Sequence, residues 1–185
     1  MSYRLVKQFK KQLEILKVKY KVGAKMYVAV DVHETILKPT HSVDMSQDFY
    51  DHAIESLQLM SQHPDIVLIL WTSSLEELSY KYLDYFKSHG IKFKFLNGNP
   101  EIPSPEYAEF SKKFFVNVII DDKAGFNANT DWEPLFDFFE LLKYKGFYQN
   151  WRDTSTSHYT TNFEFAELNA VRKFFGQLNK SGGDD

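Results

Sequence analysis

Apolar side chains recur every three or four residues through positions 2–20, at Leu5, Phe9, Leu13 and Leu16, with lysines on the far side. That period predicts an amphipathic helix, ended by Gly23. The pattern then changes to a short aliphatic run over 26–30 that stops on Asp31, as a buried strand of a parallel sheet does. Phe49, Ala53, Leu57 and Met60 predict a helix over 46–62, and 66–71 is a second buried strand. A helix follows around 75–88, its start marked by Ser73 with Glu76 three residues on, a capping box, and its end by Gly90. Residues 91–96 give a third strand, followed by the turn-rich Asn97-Gly98-Asn99-Pro100-Glu101. A helix near 105–112 leads to a fourth strand over 116–120, which stops at Asp121-Asp122, and 131–143 reads as another helix. The stretch 144–163 is polar and aromatic without a period and reads as loop. Residues 163–178 read as helix and 181–185 as a disordered tail.

Strands alternating with helices at this spacing predict an α/β fold, a doubly wound, Rossmann-like, mostly parallel sheet flanked by helices. The length of 185 residues suits one domain with a sizeable core. Within it, 1–25 forms a basic helix packed on the domain, 26–143 the α/β core, and 144–180 an aromatic-rich extension with its helix.

Composition changes this picture little. Apolar residues make up 43% and charged residues 25%, as in ordinary globular proteins. The absence of cysteine excludes a disulfide framework and a thiolate metal site. No signal-peptide pattern opens the chain, and the longest aliphatic run, 66–71, is too short to span a bilayer, so the expected location is the cytoplasm. Charge is uneven. Residues 1–25 carry eight basic side chains against Glu14 alone, and the remainder is acidic. Such a helix could face nucleic acid, an acidic partner or an anionic membrane surface. The simpler reading, a solvated face that complements the acidic body of the same chain, is preferred.

In open α/β sheets the ligand sits beyond the carboxyl ends of the strands. Those ends carry Asp31-Val32-His33-Glu34-Thr35, then Thr72-Ser73-Ser74, then Asn97, then Asp121-Asp122. Each acid alone reads as a turn former or helix cap. Three together repel one another, and a hard divalent cation with oxygen ligands is the natural compensation.

The ordered set Asp31-x-His33-x-Thr35, Thr72 after an apolar strand, a lysine, and Asp121-Asp122 after another apolar strand resembles the four motifs of the haloacid dehalogenase superfamily. Over residues 27–142 the chain is similar to the small capless hydrolases of phage and bacteria, which carry a Trp-Thr pair and an Asn-x-Asn-Pro turn. Here these are Trp71-Thr72 and Asn97-Gly98-Asn99-Pro100. The resemblance implies a magnesium-dependent phosphatase acting on a phosphorylated small molecule or macromolecule. Asp31 would be the nucleophile, forming an aspartyl-phosphate. Magnesium would be held by Asp31, the His33 carbonyl, Asp121 and Asp122. Thr72, with Ser73 beside it, would bind a phosphoryl oxygen, and Lys113, eight residues before Asp121, would neutralise phosphoryl charge.

Three positions depart from the family. His33 stands where the phosphatases have a second aspartate as acid and base, Glu34 where they have glycine, and Ser74 where the relatives often carry arginine. Imidazole can do acid–base work near neutrality. The alternative is a catalytically impaired binding or regulatory protein that keeps the fold. The 41 residues from Asp31 to Thr72 and the 41 from Thr72 to Lys113 leave no room for a cap domain. Only 36–45 could form a small flap.

Overall fold

The structure, a computed structural model, describes residues 3–19, 23–40 and 44–144. The expected loop, helix and tail of the C-terminal extension lie outside the described residues. Eight elements follow in the order α1 (Arg4–Lys19), β1 (Met26–Asp31), α2 (Ala53–Gln62), β2 (Ile66–Trp71), α3 (Glu76–Ser88), β3 (Phe93–Leu96), β4 (Val118–Ile120) and α4 (Trp132–Tyr144). The four strands form one parallel sheet in the order β3-β2-β1-β4. This is the α/β, Rossmann-like architecture expected, with helices against the sheet and no large cap domain among the described residues. No described helix is long and apolar enough to cross a membrane.

Strand alternation divides the core in two. Met26, Val28, Val30, Leu68, Leu70, Val118 and Ile120 face one side and pack with the apolar stripes of all four helices. In α1 that stripe is Val6, Phe9, Leu13 and Leu16, and Phe9 meets Phe139 of α4 edge-on at 5.1 Å between ring centres. Tyr27, Val67 and Ile69 face the other side, where Phe95, Ile102, Phe114, Phe115 and Val116 cover them. The chain steps outward from β1 to β2 to β3, then returns through 97–117 to place β4 on the far side of β1. The strand order therefore reverses at β1, which sets the carboxyl ends of β1 and β4 side by side at the switch point, where ligands of open α/β sheets bind.

The differences from the sequence-based expectations have local causes. The segment 46–52 is not helical, because Leu37 bridges to Phe49, and Lys38 and Tyr50 donate their main-chain N–H groups to Asp48 and Ile36. Phe49 is held there by the rings of Tyr85 and Phe86. Helix α2 starts only after His52, whose φ is +62°. The expected helix at 105–112 is a series of turns, in which the Ser104 hydroxyl accepts the Phe110 N–H. So short a segment does not sustain a helix without a packed face. The capping box at Ser73 is not formed: α3 begins after Leu75 without a side-chain cap. Its end is as expected, with Gly90 at φ +75° and the Ile91 N–H reaching back to the Phe86 carbonyl.

Helix α4 reaches the first strand loop through Trp132, which is fully buried and donates its indole N–H to the Thr35 carbonyl at 2.8 Å. Replacing Trp132 by Phe strands that buried acceptor. Urea unfolding should show a loss of about 1–3 kcal/mol; an unchanged midpoint would mean the bond does not tie α4 to the β1 loop.

Candidate functional site

Asp31, His33, Glu34, Trp71, Thr72, Ser73, Asn97, Asp121, Asp122 and Lys123 line one cleft of about 410 Å³ at the carboxyl ends of β1, β2 and β4. Each position follows from the sheet. Parallel pairing sets Asp31 opposite Trp71 and Val30 opposite Ile120, so the strand-end acids arrive side by side. One carboxylate oxygen from each of Asp31, Asp121 and Asp122 lies within 4.8 Å of the other two.

Thr35 locks this arrangement. Its hydroxyl donates to Asp31 Oδ2 at 3.2 Å and accepts the Asp122 N–H at 3.1 Å, joining the loops after β1 and β4 through one buried oxygen. After β4 the chain turns in a short 3-10 segment, Asp122–Ala124, capped by Asp121 Oδ1, which accepts the Lys123 N–H at 2.7 Å.

Burial raises the Asp31 pKa from 3.8 to about 6. The Val32 N–H opposes the shift, the Asp121 charge adds to it, the Thr35 hydroxyl opposes it and the Asp122 charge adds again. The carboxylates are thus crowded in a half-dry site, and a divalent cation with oxygen ligands would relieve that crowding. The cation already present is Lys123, an exposed side chain that ion-pairs with Asp122 and lies 3.4 Å from Glu34. Its pKa is raised, first by the Asp122 hydrogen bond.

Glu34 holds φ at +57°, a left-handed conformation that costs a non-glycine residue roughly 1–2 kcal/mol. Its N–H bonds to the Leu37 carbonyl and its carboxylate crosses the cleft mouth to Lys123. His33 turns toward α3: its Nε2 lies 2.9 Å from the Tyr82 hydroxyl, with the rings edge to face at 5.4 Å. Burial lowers the His33 pKa, against the weaker pull of Glu34, so the ring is mainly neutral at pH 7.

On the opposite wall, Asn97 clamps Thr72. Its Oδ1 accepts the Thr72 N–H at 2.8 Å and its Nδ2 donates to the Thr72 carbonyl at 2.7 Å. Asn97 does so at φ +49°, which asparagine tolerates better than most residues. The Thr72 hydroxyl donates to Ser74 Oγ at 3.0 Å and accepts the Ser74 N–H at 3.2 Å.

Of the residues singled out from the sequence, Asp31, His33, Thr72, Ser73, Asp121 and Asp122 meet in this cleft. Lys113 does not line it. That residue is exposed in a turn, and its neighbour Lys112 pairs with Glu109. Lys123 was not anticipated, although a basic residue directly after an Asp-Asp strand end was a readable signal. Tyr82 had no local signal, because its role depends on how α3 packs.

No protein-family model matches the chain, and no curated protein matches it. Among solved structures, a conserved protein from Bacteroides thetaiotaomicron is similar at 28% identity, covering 65% of this chain and 92% of that one, with a TM-score of 0.48.

The Asp31 shift has a defined pH signature. Because the folded pKa lies above the unfolded value, the folded state keeps a proton that the unfolded chain releases. In the absence of metal Asp31 should therefore reduce stability as pH rises from about 4 to 6, by roughly 1–2 kcal/mol once solvent screening of its half-buried carboxyl is allowed for. Urea unfolding in EDTA across that range should show a slope that Asp31→Asn removes, with the variant more stable than wild type at pH 7. Parallel slopes in the two proteins would contradict the shift.

Proposed function

We propose that the cleft is the active site of a magnesium-dependent phosphohydrolase of the haloacid dehalogenase type, acting on a phosphomonoester through an aspartyl-phosphate on Asp31. The observation that carries this reading is the convergence of Asp31, Asp121 and Asp122, with Asp31 raised toward 6, across one cleft from Thr72. The donor set is all oxygen, which fits magnesium. Asp31, Asp121 and Asp122 would hold the ion, with the His33 carbonyl. When bound, it offsets repulsion between the carboxylates and a phosphate dianion and polarises the phosphoryl oxygens.

The chain's own groups then divide the work. An Asp31 oxygen attacks phosphorus, and the bond to the leaving oxygen breaks with its electron pair on that oxygen. Thr72 presents a hydroxyl to the phosphoryl group, and Lys123 supplies the cation that balances its charge. Water next attacks the phosphorus, giving up a proton to neutral His33, and the bond to Asp31 breaks to release inorganic phosphate and the free carboxylate. A leaving oxygen that needs a proton in the first step obtains it only from the minor imidazolium form of His33. Esters of acidic alcohols should therefore react fastest.

Two contacts favour a second reading, a binding or regulatory protein with this fold. His33 Nε2 is engaged by Tyr82, and Lys123 is engaged by Glu34 and Asp122. Hydrolysis of para-nitrophenyl phosphate separates the two. Turnover should require magnesium and fall at least about a hundredfold in Asp31→Asn; activity surviving that change would sink the covalent route. A wild type that is inert while His33→Asp turns over would favour the second reading. Lys123→Met should cost about tenfold to a hundredfold, and a larger loss in Lys113→Met would return the phosphate-binding role to the exposed turn.

A further inference from the structure

Trp71 is out of keeping with the strand that carries it. Residues 66–70 of β2 are all at most 8% exposed, yet the indole that follows them is 40% exposed. It is paired in register with Asp31, and parallel strands lie about 4.8 Å apart. In-register pairing also gives the two side chains the same face of the sheet, and an Asp121 oxygen lies within 4.8 Å of one of Asp31. The indole lines the cleft with the carboxylates, and Phe114 supports it edge-on at 5.2 Å and 64°. A polar cleft that binds only phosphate has no use for a partly wetted indole beside its reacting carboxylate. A flat ring attached to the phosphate would cover it and recover the apolar contact that water denies.

We infer that Trp71 is a specificity-determining residue, a stacking platform that selects phosphomonoesters whose leaving group carries a planar aromatic ring. The inference rests on the phosphate-binding reading of the cleft and names its substrate class. The shared chemistry is a π face a few bonds from phosphorus, supplied by either an aryl phosphate or a nucleoside monophosphate. Stacking of a ring on an aromatic side chain contributes enough for a change of about tenfold in affinity.

The test is calorimetry with magnesium on the Asp31→Asn protein, which holds substrates without turning them over. The probes are phenyl phosphate, thymidine monophosphate, glycerol phosphate as the aliphatic control, and inorganic phosphate. At least one aromatic ester should bind about tenfold tighter than glycerol phosphate, and the tighter of the two identifies the source of the ring. Trp71→Ala should erase that gap while leaving inorganic phosphate within about twofold, and Trp71→Phe should keep most of it. Equal affinity for aromatic and aliphatic esters, with inorganic phosphate still bound, overturns the role of Trp71 alone. If inorganic phosphate binds neither this protein nor the wild type with magnesium, the reading of the cleft falls and takes this inference with it.

Discussion

Parallel pairing of β1 with β4 across the reversal of the chain is the contact on which the rest of the site depends. Without it Asp31 would sit at the end of one strand and Asp121 with Asp122 at the end of another, three unrelated surface acids. With it their oxygens lie within 4.8 Å of one another. The electrostatic cost of that proximity is visible in Asp31, whose carboxyl is held near 6. A site that raises the energy of its own anion is poised for a cation, and the adjacent Lys123 and the proposed magnesium act in the same direction.

The second tier of the site consists of ties between loops. Thr35 joins the loops after β1 and β4 through one hydroxyl, and Trp132 holds the Thr35 carbonyl from α4. Asn97 fixes Thr72 with two hydrogen bonds from the end of β3. Glu34 spans the mouth to Lys123 from a strained backbone position. Strain of this kind persists where surrounding contacts over-determine it, and it gathers at functional sites. The side chains that would meet a phosphoryl group are thus set on strand ends and braced by neighbours, as precise chemistry requires.

The sheet was legible in the sequence because its strands are short aliphatic runs that stop on polar residues, and the convergence of the acids followed from the rule of strand ends. Elements that depend on contacts distant in sequence were not legible. The segment 46–52 has helical periodicity but is drawn into pairing with 36–38, and 105–112 has no packed face to stabilise a helix. The same limit applies to the site. Lys113 has the family spacing but does not line the cleft, whereas Lys123, directly after the Asp-Asp strand end, reaches it through a tight turn. His33 was conspicuous as a substitution, but its contact with Tyr82 required knowing where α3 lies.

The central claim is that Asp31 and a magnesium ion together receive a phosphoryl group. Beryllofluoride bound to a carboxylate imitates an aspartyl-phosphate and does not depend on His33 completing turnover. Fluorine NMR of the full chain should therefore show bound beryllofluoride only when magnesium is present, and no bound signal in Asp31→Asn. A bound signal that survives Asp31→Asn, or none in the wild type with magnesium saturating, would contradict the account.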